Sequence, residues 1–304
     1  MIKNIINRTI DKVGRRLLTM DRLRELELVH PEWQSAVAQR QLWLNYRLAA
    51  IDDIQRLTLR DVGFKVCSQT DEDGIILFLL ALIGDPKKVS VEICAANGQE
   101  CNTSNLIMNH QWHGLLVDGD AGQVARGRAW YRKHPATYAY PPVFAHAWIT
   151  RDNINDIIAS HGFEGEIDLL SVDVDGVDYW LWDACTVVQP RVVVIEYQCS
   201  LGSERACTVP YADDFSASDY PKTNGWLPNF AGASLPAMVK LGKSKGYRLV
   251  GCNSLGFNAF FVREDLLENV LPTASVESCL QHPRVKWSMR ERAPTAADLP
   301  WQDV

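Results

Sequence analysis

Apolar positions change their period near residue 60. Before it, Ile2, Ile5, Ile6, Ile10, Val13, Leu17 and Leu18 recur at helical spacing. A second helix is expected from near Pro31 to about Leu57, with Trp33, Leu42, Leu44, Leu48 and Ile51 on its apolar face. Pro31 suits a first helical turn, where a missing N–H leaves no bond unmade. From residue 61 short apolar strands alternate with helices. Thr70-Asp71-Glu72-Asp73 reads as an acidic helix start with capping-box spacing, leading into the apolar run Ile75–Ile83. Buried-type strands are expected at Lys88–Ile93, Leu115–Asp118, Phe144–Ile149, Asp168–Asp173 and Arg191–Glu196. Such alternation needs crossovers, and therefore a parallel sheet covered on both faces.

After Glu196 the pattern lapses into Gly, Ser, Pro, Asp and aromatic residues from Tyr197 to about Gly232, a length usual for binding loops. A helix over Ser234–Lys245, a strand over Tyr247–Asn253, a turn at 253–258 and a last strand, Ala259–Arg263, follow. Strands joined by so short a link are antiparallel. The fold class is thus α/β, a Rossmann-like, mostly parallel sheet with an antiparallel end. The expected division is a helical N-terminal extension at 1–60, a sheet domain at 61–265 and a C-terminal tail at 266–304.

Composition narrows the function. Hydrophobic residues at 47% and charged residues at 22% are an ordinary globular balance. A formal charge of -6 argues against a nucleic-acid partner, which needs a basic face. Ile75–Ile83, the longest apolar run, is too short to span a membrane. The start, Met1-Ile2-Lys3-Asn4, does not read as a secretory signal, so a cytoplasmic chain is expected. Eight cysteines without a Cys-x-x-Cys pair read as reduced thiols, not zinc ligands. Within residues 1–20, Lys3, Arg8, Lys12, Arg15 and Arg16 face only Asp11. That basic amphipathic helix either packs on its own domain or lies on a membrane surface or a partner. A homodimer through the helical N-terminus is a further expectation.

Candidate chemistry gathers at strand ends, where open α/β sheets bind ligands. The segment Ile167–Tyr179 ends in Asp173, Asp175 and Asp178, with Gly176 permitting a sharp turn. The first strand closes Glu92-Ile93-Cys94-Ala95-Ala96-Asn97-Gly98, small residues that let a cofactor approach the backbone. Asp118 follows Gly98 by 20 positions, the placement of an acid that accepts both ribose hydroxyls. These ends fit a nucleoside cofactor, though the full G-x-G-x-x-G is absent.

Five stretches carry a resemblance over roughly residues 65–265: VEICAANGQE, GLLVDGD, IDLLSVDVDGVDYW, RVVVIEY and GASLPAMVKLGKSKGYRLVGCNSLGFNAFFVRED. They resemble the class I S-adenosylmethionine-dependent methyltransferases, and most of all the FkbM-type family. The resemblance implies a seven-stranded sheet whose antiparallel strand is last in sequence. It implies that Glu92 orients the methionine end or the loop amides. Cys94, Ala95, Ala96, Asn97 and Gly98 would form the loop beneath the cofactor. Asp118 would bind the ribose, with Asp120 just outside, and Asp173 would sit at the methyl-transfer end with Asp175 beside it. Cys94 departs from the pattern, which usually has glycine there. If that residue needs a positive φ, cysteine costs stability or remodels the loop.

Methyl transfer from a sulfonium is an in-line displacement, in which positioning supplies much of the rate. An alcohol acceptor must also lose a proton, and Asp175, Glu196 and His146 are candidate bases. Glu196 would alternatively pair with a loop cation such as Arg205. A divalent cation on Asp173, Asp175 and Glu196 is a further option. Tyr179, Trp180, Trp182, Tyr211, Phe215, Tyr220, Trp226 and Phe230, with Asp213 and Asp214, would suit a sugar, or would simply pack the long loop down. The leading expectation is an O-methyltransferase acting on a small-molecule or glycan hydroxyl. Its competitors are a nicotinamide-dependent oxidoreductase and a non-catalytic module that keeps the fold.

Overall fold

The computed structural model describes residues 35–48, 57–84, 86–225, 227–267 and 270–304. The chain divides into two compact units, Met1–Leu44 and Asn45–Val304. The helix expected within residues 1–20 lies outside the described residues, as do Trp33, Ile51 and Trp226. Of the second expected helix, residues 35–48 are helical. No helix among the described residues is long and apolar enough to cross a membrane.

Within the second unit, seven strands form one sheet. They are β1 (Val89–Ile93), β2 (His113–Asp118), β3 (Val143–His146), β4 (Gly165–Val172), β5 (Val188–Glu196), β6 (Tyr247–Cys252) and β7 (Asn258–Arg263). The spatial order is β3-β2-β1-β4-β5-β7-β6. Only β7, last in sequence, runs against its neighbours β5 and β6. This is the expected sheet, strand for strand, with shifted ends. In β5, Val192 to Ile195 are completely buried. Such a run is read as a strand covered on both faces because no solvent side interrupts it.

The cover comes from α1 (Glu72–Ile83), α2 (Ser104–His110), α3 (Ala121–Tyr131), α4 (Ile154–Ser160), α5 (Asp178–Ala184), α6 (Leu235–Ser244) and, near the C-terminus, α7 (Pro283–Glu291). Helix α1 is apolar all round, and Ile75 to Ala81 are at most 1% exposed, as a fully enclosed helix requires. Its start differs from expectation. The N-cap is Asp71, which makes no side-chain capping bond. Asp73 instead accepts the amides of Val66, Cys67 and Ser68 through Oδ2 at 2.6–2.7 Å. Glu72 accepts from Asn253 and Asn258, tying α1 to the β6–β7 turn. The acids thus satisfy buried amides of neighbouring loops, which competes with local capping.

Gly74 is squeezed into this junction. A Cβ there would collide with the Val62 carbonyl oxygen and the Phe64 amide nitrogen, both backbone atoms that cannot swing aside. Gly74→Ala is therefore expected to destabilise by ~3 kcal/mol or more, read as a lowered midpoint in urea unfolding; an unchanged midpoint would contradict the collision.

The segment after residue 266 is built into the same unit. Trp301 stands edge-on to Phe230 with ring centroids 4.6 Å apart, and Gln302–Asp303 pairs with Cys207–Thr208. Helix α6 is capped by Ser234, whose Oγ accepts from the Ala237 amide, and α5 inserts Trp182 against Phe261 at 5.0 Å.

Candidate active site

Register places the candidate residues in one row. Ile93 is opposite Val117 and Val172, and Val172 is opposite Ile195. The next residue on each strand is therefore level across the sheet: Asp118 on β2, Cys94 after β1, Asp173 after β4 and Glu196 on β5. His146 pairs with Asp118 at the outer side. At 4.7–4.9 Å per strand it stands about 14 Å from Asp173 and about 19 Å from Glu196. Its ring contacts the Gly119 carbonyl at 3.2 Å and is exposed. The row separates His146 from the acids with which the sequence had grouped it.

The turn after β1 carries three left-handed residues, Cys94 at φ 66, Ala96 at φ 47 and Gly98 at φ 70. Asp118, 8% exposed, holds this turn. Its Oδ2 accepts the Ala96 amide at 2.7 Å and its Oδ1 the Asp120 amide at 2.8 Å. A carboxylate has about four acceptor positions, so each oxygen keeps one for a ligand. Glu92 lies beneath, accepting from the Asn102 and Thr103 amides at 2.8 Å and from the Thr103 hydroxyl. Its carboxylate is thus committed to loop amides. Asp120 caps α3 by accepting from Gln123 and Gly122, and these amides hold its pKa below the usual carboxylate range. A cavity of about 90 Å³ adjoins Asp118 and Cys94, walled by Ile93, Trp148, Val177 and Phe215. Trp148 was not singled out in the sequence; its Nε1 donates to the Asp213 carbonyl at 2.7 Å, so the long loop and the chain after β3 close the cavity together.

Cys94 is the one exposed cysteine of the eight. Desolvation in the cleft and then the charges of Asp118 and Asp173 push its thiol upward, so it stays neutral near pH 7. At φ 66 its Cβ is strained, by roughly 1–2 kcal/mol for an L-residue. Cys94→Gly is expected to raise the melting temperature by about 2–4 °C if about 1 kcal/mol is recovered. A lower melting temperature in differential scanning calorimetry would mean that the thiol's contacts outweigh the strain.

At the other end of the row lies a larger cavity of about 300 Å³, lined by Asp173, Asp175, Glu196, Gln198, Arg284 and Arg292 among others. The three carboxylates that converge are Asp173, Asp178 and Glu196, with oxygens within 4.8 Å of one another. Asp178 thus replaces Asp175 in the expected cation trio. Its oxygens accept the Val174 and Gly176 amides at 2.8 and 3.0 Å, which curls the turn and draws the carboxylate inward. Asp175 sits exposed at the tip of that turn with φ 54. Glu196 does not pair with Arg205, which binds Asp303 instead. Burial, then repulsion from Asp178, pushes the Asp173 carboxyl well above its ordinary range. Burial, then Asp173, does the same to Glu196. Asp178 is pushed up to about 6 by burial, against its two amide bonds. Such a cluster shares protons or holds a hard divalent cation.

The loop aromatics mostly pack on each other. Tyr220 lies 4.5 Å from Phe230 and stacks on Phe215 at 5.7 Å. Phe230 and Trp182 are buried, and Trp180 donates to the Val209 carbonyl at 2.9 Å. Phe215, Tyr220 and Phe230 thus form the loop's own core with Trp301, whereas Trp182 belongs to the main core.

No family model and no curated protein matches the chain. Among solved structures it is similar to a magnesium protoporphyrin IX methyltransferase from Synechocystis with bound SAM, at 11% identity over 63% of this chain and 77% of that one, TM-score 0.38. It is similar to the glycopeptide N-methyltransferase MtfA in complex with S-adenosyl-L-homocysteine, at 10% identity over 60% and 84%, TM-score 0.37. A third likeness is the mitomycin 7-O-methyltransferase MmcR, at 10% identity over 58% and 48%, TM-score 0.35.

Proposed function

We propose that this chain is an S-adenosylmethionine-dependent methyltransferase of the FkbM type that methylates a hydroxyl of a small-molecule or glycan acceptor. The observation that carries the reading is the level row Asp118, Cys94, Asp173 and Glu196, with a cavity at each end of it. The smaller cavity would take part of the adenosyl group, with the free positions of Asp118 accepting the ribose hydroxyls. The larger would take the acceptor. In the transfer the acceptor oxygen bonds to the methyl carbon, the C–S bond breaks and its electron pair stays on sulfur. The hydroxyl proton goes to a carboxylate of the Asp173–Glu196 cluster; that it is unpaired with any cation among the described residues suits a proton acceptor. All eight cysteines are free, which suits a reducing cytoplasm.

Cys94 and its left-handed strain favour one other reading, a non-catalytic module on the same fold. Calorimetric titration with S-adenosylmethionine and S-adenosylhomocysteine separates the two. Micromolar binding of both is expected. No heat of binding from the folded protein at millimolar ligand would reject the methyltransferase and leave the module.

A further inference from the structure

Helix α7 and the residue after it bring Arg284 and Arg292 to the wall of the larger cavity. Arg292 is 3% exposed. Its Nε donates to Asn229 at 3.2 Å, its Nη1 to Ser288 at 2.9 Å and its Nη2 to the Pro228 carbonyl. A guanidinium has five N–H donors, so two are left over. Arg284 lies 3.9 Å over the Phe257 ring, and only its Nη1 donates within the described residues, to the Leu255 and Gly256 carbonyls and to Cys199.

Neither cation has a carboxylate within ion-pair distance among the described residues, although Arg191, Arg205, Arg263 and Arg290 each do. Their partners are carbonyl and amide oxygens, a hydroxyl and the Cys199 sulfur, with no carboxylate among them. A buried arginine without a counter-ion is costly unless something anionic completes it. Glu196 is the acid whose field reaches Arg292, yet it crowds against Asp173 and Asp178 and makes no hydrogen bond to the arginine. The cavity therefore has a carboxylate wall at the ends of β4 and β5 and a cationic wall from α7.

We infer that the acceptor is itself anionic: a small hydroxylated molecule with one carboxylate or phosphate, taken by Arg284 and Arg292 while a hydroxyl lies toward Asp173 and Glu196. This rests on the methyltransferase reading above. Guanidinium forks match the oxygens of carboxylate and phosphate, and about 300 Å³ is the size of a small-ligand pocket. The acids opposite disfavour a polyanion, which leaves room for one oxyanion on an otherwise neutral polyol.

The test compares three probes on the full chain saturated with S-adenosylhomocysteine: glucuronate, glucose 6-phosphate and neutral methyl glucoside. Dissociation constants come from calorimetry or ligand-observed NMR, for the natural protein and for Arg284→Gln. At least one anionic probe is expected to bind roughly 10–100-fold tighter than methyl glucoside. The preference should collapse toward unity in Arg284→Gln with the melting temperature kept. Which anion wins separates a carboxylate acceptor from a phosphate one. Arg292→Gln is the weaker variant because it also unties Asn229, Ser288 and Pro228. Equal binding of anionic and neutral probes, no binding of either anion, or a preference that survives Arg284→Gln would each overturn the inference. Loss of S-adenosylhomocysteine binding alone would instead strike the methyltransferase reading, since the anion preference is read from the cavity directly.

Discussion

Glu196→Gln is expected to lower kcat for methyl transfer by about 10²–10⁴-fold, the usual worth of a positioned general base, and to raise the melting temperature at pH 8. The two effects share one cause. Glu196 is crowded by Asp173 and Asp178 and has no cationic partner at ion-pair distance among the described residues. Its carboxyl binds a proton more tightly folded than unfolded, where its ordinary value is 4.5. The sign follows directly. Stability is greatest below the unfolded value, falls as pH rises from there toward the raised folded value, and stays low above it. Glutamine keeps the shape and removes the charge, so the variant and the natural protein should melt together near pH 4 and diverge at pH 8. A gain of about 1 kcal/mol is expected from relieving this crowded, half-buried charge, at roughly 2–4 °C per kcal/mol. The natural protein's kcat should rise with pH as the cluster gives up its proton, and the variant's should be flat. A melting temperature that falls at pH 8, but only without chelator, is the result of a divalent cation on Asp173, Asp178 and Glu196. Unchanged kcat would remove Glu196 from the proton transfer.

Legibility in the sequence follows distance along the chain. The strands were readable because burial on both faces leaves unbroken runs such as Val192–Ile195. The antiparallel end was readable because the link between β6 and β7 is too short for a crossover. Asp118, Asp173 and Glu196 could be singled out because each sits at a strand end, and strand ends in such a sheet converge. His146 also sits at a strand end, but strand order is not written in a single sequence, and β3 proved to be the outermost strand on its side. Asp178 joined the cluster through a four-residue backbone curl that no periodicity reports. Arg284 on α7 and Arg292 just after it lie in the segment expected only as a C-terminal tail; tertiary packing alone brings them against the β6–β7 turn and the cavity. The acids of α1 matched a capping pattern, yet the amides of Val66, Cys67 and Ser68 claimed Asp73 instead.

Asp118→Ala is expected to weaken S-adenosylhomocysteine binding by about 10²-fold or more, since each hydrogen bond to a charged acceptor is worth about 1.5–3 kcal/mol. Alanine also frees the Ala96 and Asp120 amides that the carboxylate holds at 2.7 and 2.8 Å. Leaving those groups unsatisfied costs about 1–3 kcal/mol of stability, and the left-handed turn over Cys94 and Ala96 loses its brace. A drop in affinity by itself would therefore not separate a ribose contact from a loosened loop. Asp118→Asn does separate them. Its single carbonyl oxygen can still accept one loop amide, but the amide group offers no second acceptor and no charge to two ribose hydroxyls. If Asp118 reads the ribose, the asparagine variant keeps most of the melting temperature while losing most of the affinity in calorimetry. If Asp118 only braces the turn, affinity and melting temperature fall together in alanine and recover together in asparagine. Adenine offered alone sharpens the distinction, because it carries no ribose. Its weaker binding should be nearly the same in the natural protein and the asparagine variant, and a parallel loss there would assign the residue to the loop and not to the ligand.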